Sequence, residues 1–124
     1  MSLYKFMVLT KHFERLKKGN DIYFIITALD LNGVLDVTSS TSFITIKPNL
    51  NEDGTDTTAI IKVAGTIEDA TGGILSFKLT DANTEVPVVG TTYWYDIVVK
   101  LNNNDVHSLL EGNISFSESV TQVI

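Results

Sequence analysis

TTYWYDIVVKLNNNDVHSLLEGNISF, residues 91–116, reads as two strands joined by a tight turn. From Thr91 to Leu101 the side chains alternate without a break: Tyr93, Tyr95, Ile97 and Val99 share one face, and Trp94, Asp96, Val98 and Lys100 the other. A period of two in a run of β-branched and aromatic residues is the pattern of a strand. Asn102, Asn103, Asn104 and Asp105 form a reverse-turn cluster, and Val106 to Phe116 returns as the partner strand. Neighbouring residues of a strand point to opposite faces, so Tyr93 and Tyr95 lie side by side and Trp94 does not join them in a flat sugar-stacking platform. One face fills the core; the other packs on a neighbouring strand or subunit. Asp96, an acid inside this apolar run, is expected to be exposed, hydrogen-bonded or at an interface.

The same alternation extends towards the N-terminus. ILSFKLT, residues 74–80, opposes Leu75, Phe77 and Leu79 to Ile74, Ser76, Lys78 and Thr80. Ile22, Phe24 and Ile26 oppose Tyr23, Ile25 and Thr27, and Asn32-Gly33 suits a tight turn because both residues tolerate positive φ. Leu35 to Thr38 reads as a short edge segment. Phe43 and Thr45 oppose Ile44 and Ile46 until Pro48 removes a ladder donor, and Thr57 to Ala64 repeats the pattern. Asp81 to Gly90 has no clear period and admits one helical turn at DANTE. Six or seven short strands with turns at this spacing predict an all-β chain, a two-layer antiparallel sandwich.

With 124 residues, 44% of them apolar, the chain is long enough to bury a core as one domain. It has no cysteine, which excludes disulfides and thiolate metal sites and fits a reducing cytoplasm. The N-terminus lacks the cleavage site of a secretory signal, and no apolar stretch approaches the roughly 18 residues that cross a bilayer. No membrane partner is expected.

The net charge of −6 conceals an asymmetry. In residues 1–18, Lys5, Lys11, Arg15, Lys17 and Lys18 stand against Glu14 alone, so a basic arm precedes an acidic body. That arm could steer identical subunits or an acidic neighbour, or simply solvate an exposed first strand; the acidic body would repel nucleic acid. Phe6, Leu9, Phe13 and Leu16 fall at helical spacing, while Tyr4, Phe6 and Val8 alternate as a strand. We read residues 1–12 as an extended arm or first edge segment and residues 13–124 as the sandwich domain.

Reactive constellations are missing from the pattern. His12 and His107 have no second ligand at a zinc spacing, the abundant Ser and Thr have no elbow motif or paired base, and GTIEDATGG lacks the Lys-Ser/Thr of a phosphate loop. Asn49 to Gly54 mimics the first half of a calcium loop, but position twelve is Ile60 where a bidentate Glu is required. No enzyme activity, cofactor or metal is expected.

KKGND (17–21), LDLNGVLDVT (29–38), a strand ending in IK (46–47), GGILSFKLT (72–80) and the closing GTTYWYDIVVKLNNNDVHSLLEGNISFSESVT (90–121) together resemble the Ig-like β-sandwich domain of tailed-phage virion proteins. The likeness is to the family typified by the N-terminal domain of siphophage upper baseplate proteins and by related tail-fibre attachment modules. It covers residues 13–121 and is most specific in the closing hairpin. Asn20 between Gly19 and Asp21, Val37-Thr38 for the usual Leu-Thr, and residues 1–12 depart from it.

The resemblance implies an Ig-like sandwich of about seven strands and a non-enzymatic structural or adaptor role in the virion, in the tail or baseplate, after synthesis in the host cytoplasm. Its partners would be other virion proteins and further copies of the chain in a symmetric assembly. The first and last strands are the expected contact edges. Lys5, Lys11, Arg15, Lys17 and Lys18 are the expected contact residues. Alternatives are a head-decoration or neck protein and a carbohydrate-binding module that holds host glycans.

Overall fold

A computed structural model describes residues 9–49 and 58–119. Its centre is the hairpin of β10 (Tyr93–Lys100) and β11 (Val106–Ser117). Tyr93, Tyr95, Ile97 and Val99 are buried, as the alternation requires, and the turn closes through hydrogen bonds from the Leu101 N–H to the Asp105 carbonyl and from the Asn104 N–H to the Leu101 carbonyl. β6 (Thr41–Lys47) flanks β10 on its other side and β7 (Ile61–Ala64) flanks β6, both antiparallel. A second sheet has the order β3 (Ile22–Thr27), β9 (Ile74–Leu79), β8 (Thr66–Asp69). Phe24, Leu75, Phe77 and Leu79 from this sheet join Ile44, Ile46, Tyr95 and Ile97 from the first in one buried cluster. Eleven strands occur among the described residues, three of them two-residue stubs, with one helical turn, α1 (Asp81–Thr84), where DANTE admits one.

The first sheet departs from the antiparallel expectation at its edge. β1 (Leu9–Thr10) and β2 (Phe13–Lys17) both pair with β11 in parallel. Residues 9–17 are therefore extended, and their helix-like spacing has a specific cause. The β2–β11 register slips between Ile114 and Phe116, and Arg15 within that slip takes a left-handed φ of 58°. One extra residue in the bulge lets Phe13 and Leu16, three apart, both pack on the core.

Three further expectations shift. The β4 (Leu29–Asp30) and β5 (Gly33–Val34) hairpin turns on Leu31 and Asn32, one residue earlier than Asn32-Gly33, because Asp30 Oδ1 accepts the Asn32 N–H at 2.7 Å and Gly33 pairs with Asp30. Leu35 to Thr38 is not a strand. Its Leu35 and Val37 are buried and bond to the carbonyls of Ala28 and Ala70, while the Thr38 hydroxyl and N–H on the Asp36 carboxylate hold that acid below its ordinary pKa. β7 begins at Ile61, and most of the calcium-like loop, Asn49 to Gly54, lies outside the described residues.

Both buried tyrosines tie loops to the core. Tyr93 Oη accepts the Val88 N–H at 2.8 Å, and Tyr95 Oη donates to the Lys11 carbonyl at 2.7 Å. Burial, helped by the Glu111 carboxylate, pushes the Tyr95 phenol up to about 12. The folded state thus favours the uncharged phenol, a stabilisation complete below the ordinary value of 10.0 and lost as pH rises from there through about 12. Alkaline unfolding of the wild type should be steeper across that window than that of Tyr95→Phe, by thermal melts at matched pH; parallel slopes would contradict this.

Candidate functional site

The basic residues expected to make contacts occupy one edge. Lys11 lies between β1 and β2, its N–H bonded to the Glu111 carbonyl at 2.9 Å and its ammonium 5.6 Å from the centre of the Phe13 ring. Arg15 and Lys17 are exposed on β2, and Lys18, half-buried, follows it. Lys17 Nζ bonds to Ser117 Oγ at 3.2 Å. Lys5 lies outside the described residues. Lys11 to Lys18 thus line the chain's own sheet border. The first strand is an edge as expected, and the last is covered by β1 and β2 only over residues 110–117, so among the described residues its 106–109 part keeps an edge; β3, β7 and β8 supply the other edges.

The pairing registers build a second surface that no single stretch of sequence displays. Residues directly opposite across a ladder share a face, so the side of the first sheet turned away from the core can be read in rows. Lys47, Trp94 and Asn113 form one row; Lys62, Thr45, Asp96 and Glu111 the next. Ala64, Phe43, Val98 and Ser108 form the third, and Thr41, Lys100 and Val106 the fourth. Phe43 is 39% exposed and Val106 57%, and Trp94 and Val98 are half-buried. Lys62 Nζ sits 4.8 Å from the centre of the Phe43 ring.

This face carries an apolar strip down its middle, Lys47 and Lys62 on its β6–β7 side, and Asp96 and Glu111 on its β10–β11 side, where Lys100 also lies at the turn end. Asp96 and Glu111 are direct cross-strand partners. Like charges so placed disfavour a sheet. Asp96 is half-buried and has an interaction within the chain, which answers the question its position raises. The sequence already separates Trp94 and Asp96 from the core. What it does not reveal is their alignment with Glu111, Lys47 and Lys62.

Elsewhere the chemistry is sparse. A cleft of about 190 Å³ between β2 and β11 is lined by His12, Glu14, Thr92 and Asn113, with His12 Nδ1 accepting the Asn113 N–H at 3.0 Å. His107 is buried opposite Val99. Among the described residues no group of three or more His, Asp or Glu could hold a metal ion, and no helix is long and apolar enough to cross a membrane. On the second sheet Tyr23 and Ile25 are 61% and 70% exposed, with Lys78 Nζ 5.5 Å from the centre of the Tyr23 ring. No protein-family model and no curated protein matches the chain.

Proposed function

We propose that this chain is an Ig-like β-sandwich that works by docking, as a non-enzymatic structural or adaptor component of a bacteriophage virion, in its tail or baseplate. The order β11-β10-β6-β7 facing β3-β9-β8, with an N-terminal segment added in parallel to β11, supports the Ig-like assignment. The virion setting rests on the likeness of residues 13–121 to the tailed-phage domains. The observation that carries a docking role is the open face of the first sheet, where Trp94, Phe43, Val98 and Val106 lie among charges of both signs. Aromatic and apolar groups surrounded by polar ones are the composition of an interface.

Virions purified from a lysate of the producing host and probed with an antibody to this chain test the proposal. The chain should co-sediment with intact particles, and Trp94→Ala should reduce its incorporation at least tenfold while preserving the β-sheet circular dichroism of the isolated domain. A chain that stays in the soluble fraction would overturn the virion role, and undiminished incorporation of the variant would overturn the docking face.

A further inference from the structure

We infer that the open face of the first sheet binds the same face of a second copy, about a two-fold axis running along the strands between β6 and β10. The inference deepens the docking role just proposed by naming the partner. It stands on the order of charges across the sheet. A two-fold axis in the plane between two stacked faces, directed along the strands, keeps each row on its own level and reverses left and right. β10 of one copy then lies over β6 of the other, and β11 over β7.

The first three rows bring compatible groups together under that operation, and in the fourth Lys100 faces Thr41. Glu111 faces the second copy's Lys62, and Trp94 faces its Lys47, an ammonium over an indole. Val98 faces Phe43. The alternative axis, across the strands, leaves each strand facing its own copy and reverses the order of the rows, which parts Glu111 from Lys62 and Trp94 from Lys47. Of these two axes, only the one along the strands sets Glu111 against Lys62. Lys47, Lys62 and Asp96 already have interactions within their own chain, which the contact extends.

The size of the face sets the strength. Four strands spaced about 4.8 Å apart and eight residues rising about 3.3 Å each give a footprint of roughly 500 Å² per copy before side-chain relief is counted. Stable specific interfaces bury about 800 Å² per partner, so the dimer belongs to the weak class, with a dissociation constant on the order of micromolar or above.

Sedimentation velocity of the full chain from about 1 to 500 µM tests this. The wild type should show a concentration-dependent dimer that weakens with added salt. Lys62→Glu and Glu111→Lys should each weaken it at least tenfold, and the double variant, which restores opposite charges across the axis, should return it to within a few-fold of wild type. Both side chains are exposed, and circular dichroism checks that each variant folds. A wild type monomeric throughout overturns the inference and assigns the face to a different protein. Association unaffected by either single variant also overturns it and points to pairing at strand edges. Failure of the double variant to recover overturns the axis. A monomer that still enters virions would remove this inference alone and leave the docking role intact.

Discussion

Gly112→Ala should lower the melting temperature by about 10 °C or more, corresponding to a loss of about 3 kcal/mol or more. Gly112 sits in β11 with φ of 158°, and a Cβ there would overlap the Lys11 carbonyl oxygen and come within 2.8 Å of its carbon. The obstacle is backbone, which has no rotamer to escape into. Lys11 is also where the N-terminal edge is fastened: its N–H bonds to Glu111, its carbonyl accepts the Tyr95 hydroxyl, and Phe13 beyond it packs on Phe24 and Tyr95 with ring centres 5.0 and 5.4 Å away. Displacing Lys11 loosens all of these together. Hydrogen exchange should show lost protection in β1, β2 and the facing half of β11, with β9 protected until global unfolding. An unprotected β11 is an exposed strand edge, so the variant should also aggregate more readily. Wild-type melting and wild-type exchange in β1–β2 would show that the edge tolerates the extra carbon.

The sequence is easiest to read where period two runs unbroken. β10, β9 and β3 bury the faces their alternation predicts, and the turns and the helical stretch between them fall where Asn, Asp and Gly cluster. It is hardest to read where one inserted residue breaks the period, because phase beyond a bulge depends on the partner strand. The bulge at Arg15 makes Phe13 and Leu16 imitate a helix. On β11 the register slips opposite Ile97 and Val98, and both Leu109 and Leu110 are buried. Two consecutive large apolar residues are the one local hint of that slip.

Its consequence reaches the candidate site. Counting back from Lys100 opposite Val106 without the slip would set Asp96 against Leu110; with it, Asp96 faces Glu111 and the acidic side of the open face exists. The parallel docking of β1 and β2 has no local signal at all. It is decided by the edge that β11 leaves open once β10 has taken its other side. The basic residues of the N-terminal segment are visible in composition, but composition does not reveal that residues 11–18 spend their backbone on the chain's own sheet.

Phe77→Ala should destabilise the fold by about 3–5 kcal/mol, the range for emptying a buried phenylalanine site. Phe77 is 1% exposed, pairs with Phe24 across the second sheet and faces the point where the chain passes from β7 to β8. That point is Gly65, whose N–H bonds to the Ser42 carbonyl at 2.8 Å. A Cβ on Gly65 would overlap Ser42 Oγ and lie 2.6 and 2.9 Å from two carbons of the Phe77 ring. Gly65 is not at a left-handed φ, so Gly65→Ala costs packing and not backbone strain, about 1–3 kcal/mol for overfilling. The two costs share one volume. In Phe77→Ala the ring is gone, the new methyl group of Gly65→Ala enters the space it leaves, and only the Ser42 hydroxyl must turn aside. The double variant should therefore be more stable than the sum of the single losses predicts, by about 1 kcal/mol or more, measured by urea unfolding of all four proteins. Additivity within about 0.5 kcal/mol would mean that the glycine and the ring do not compete for the same space.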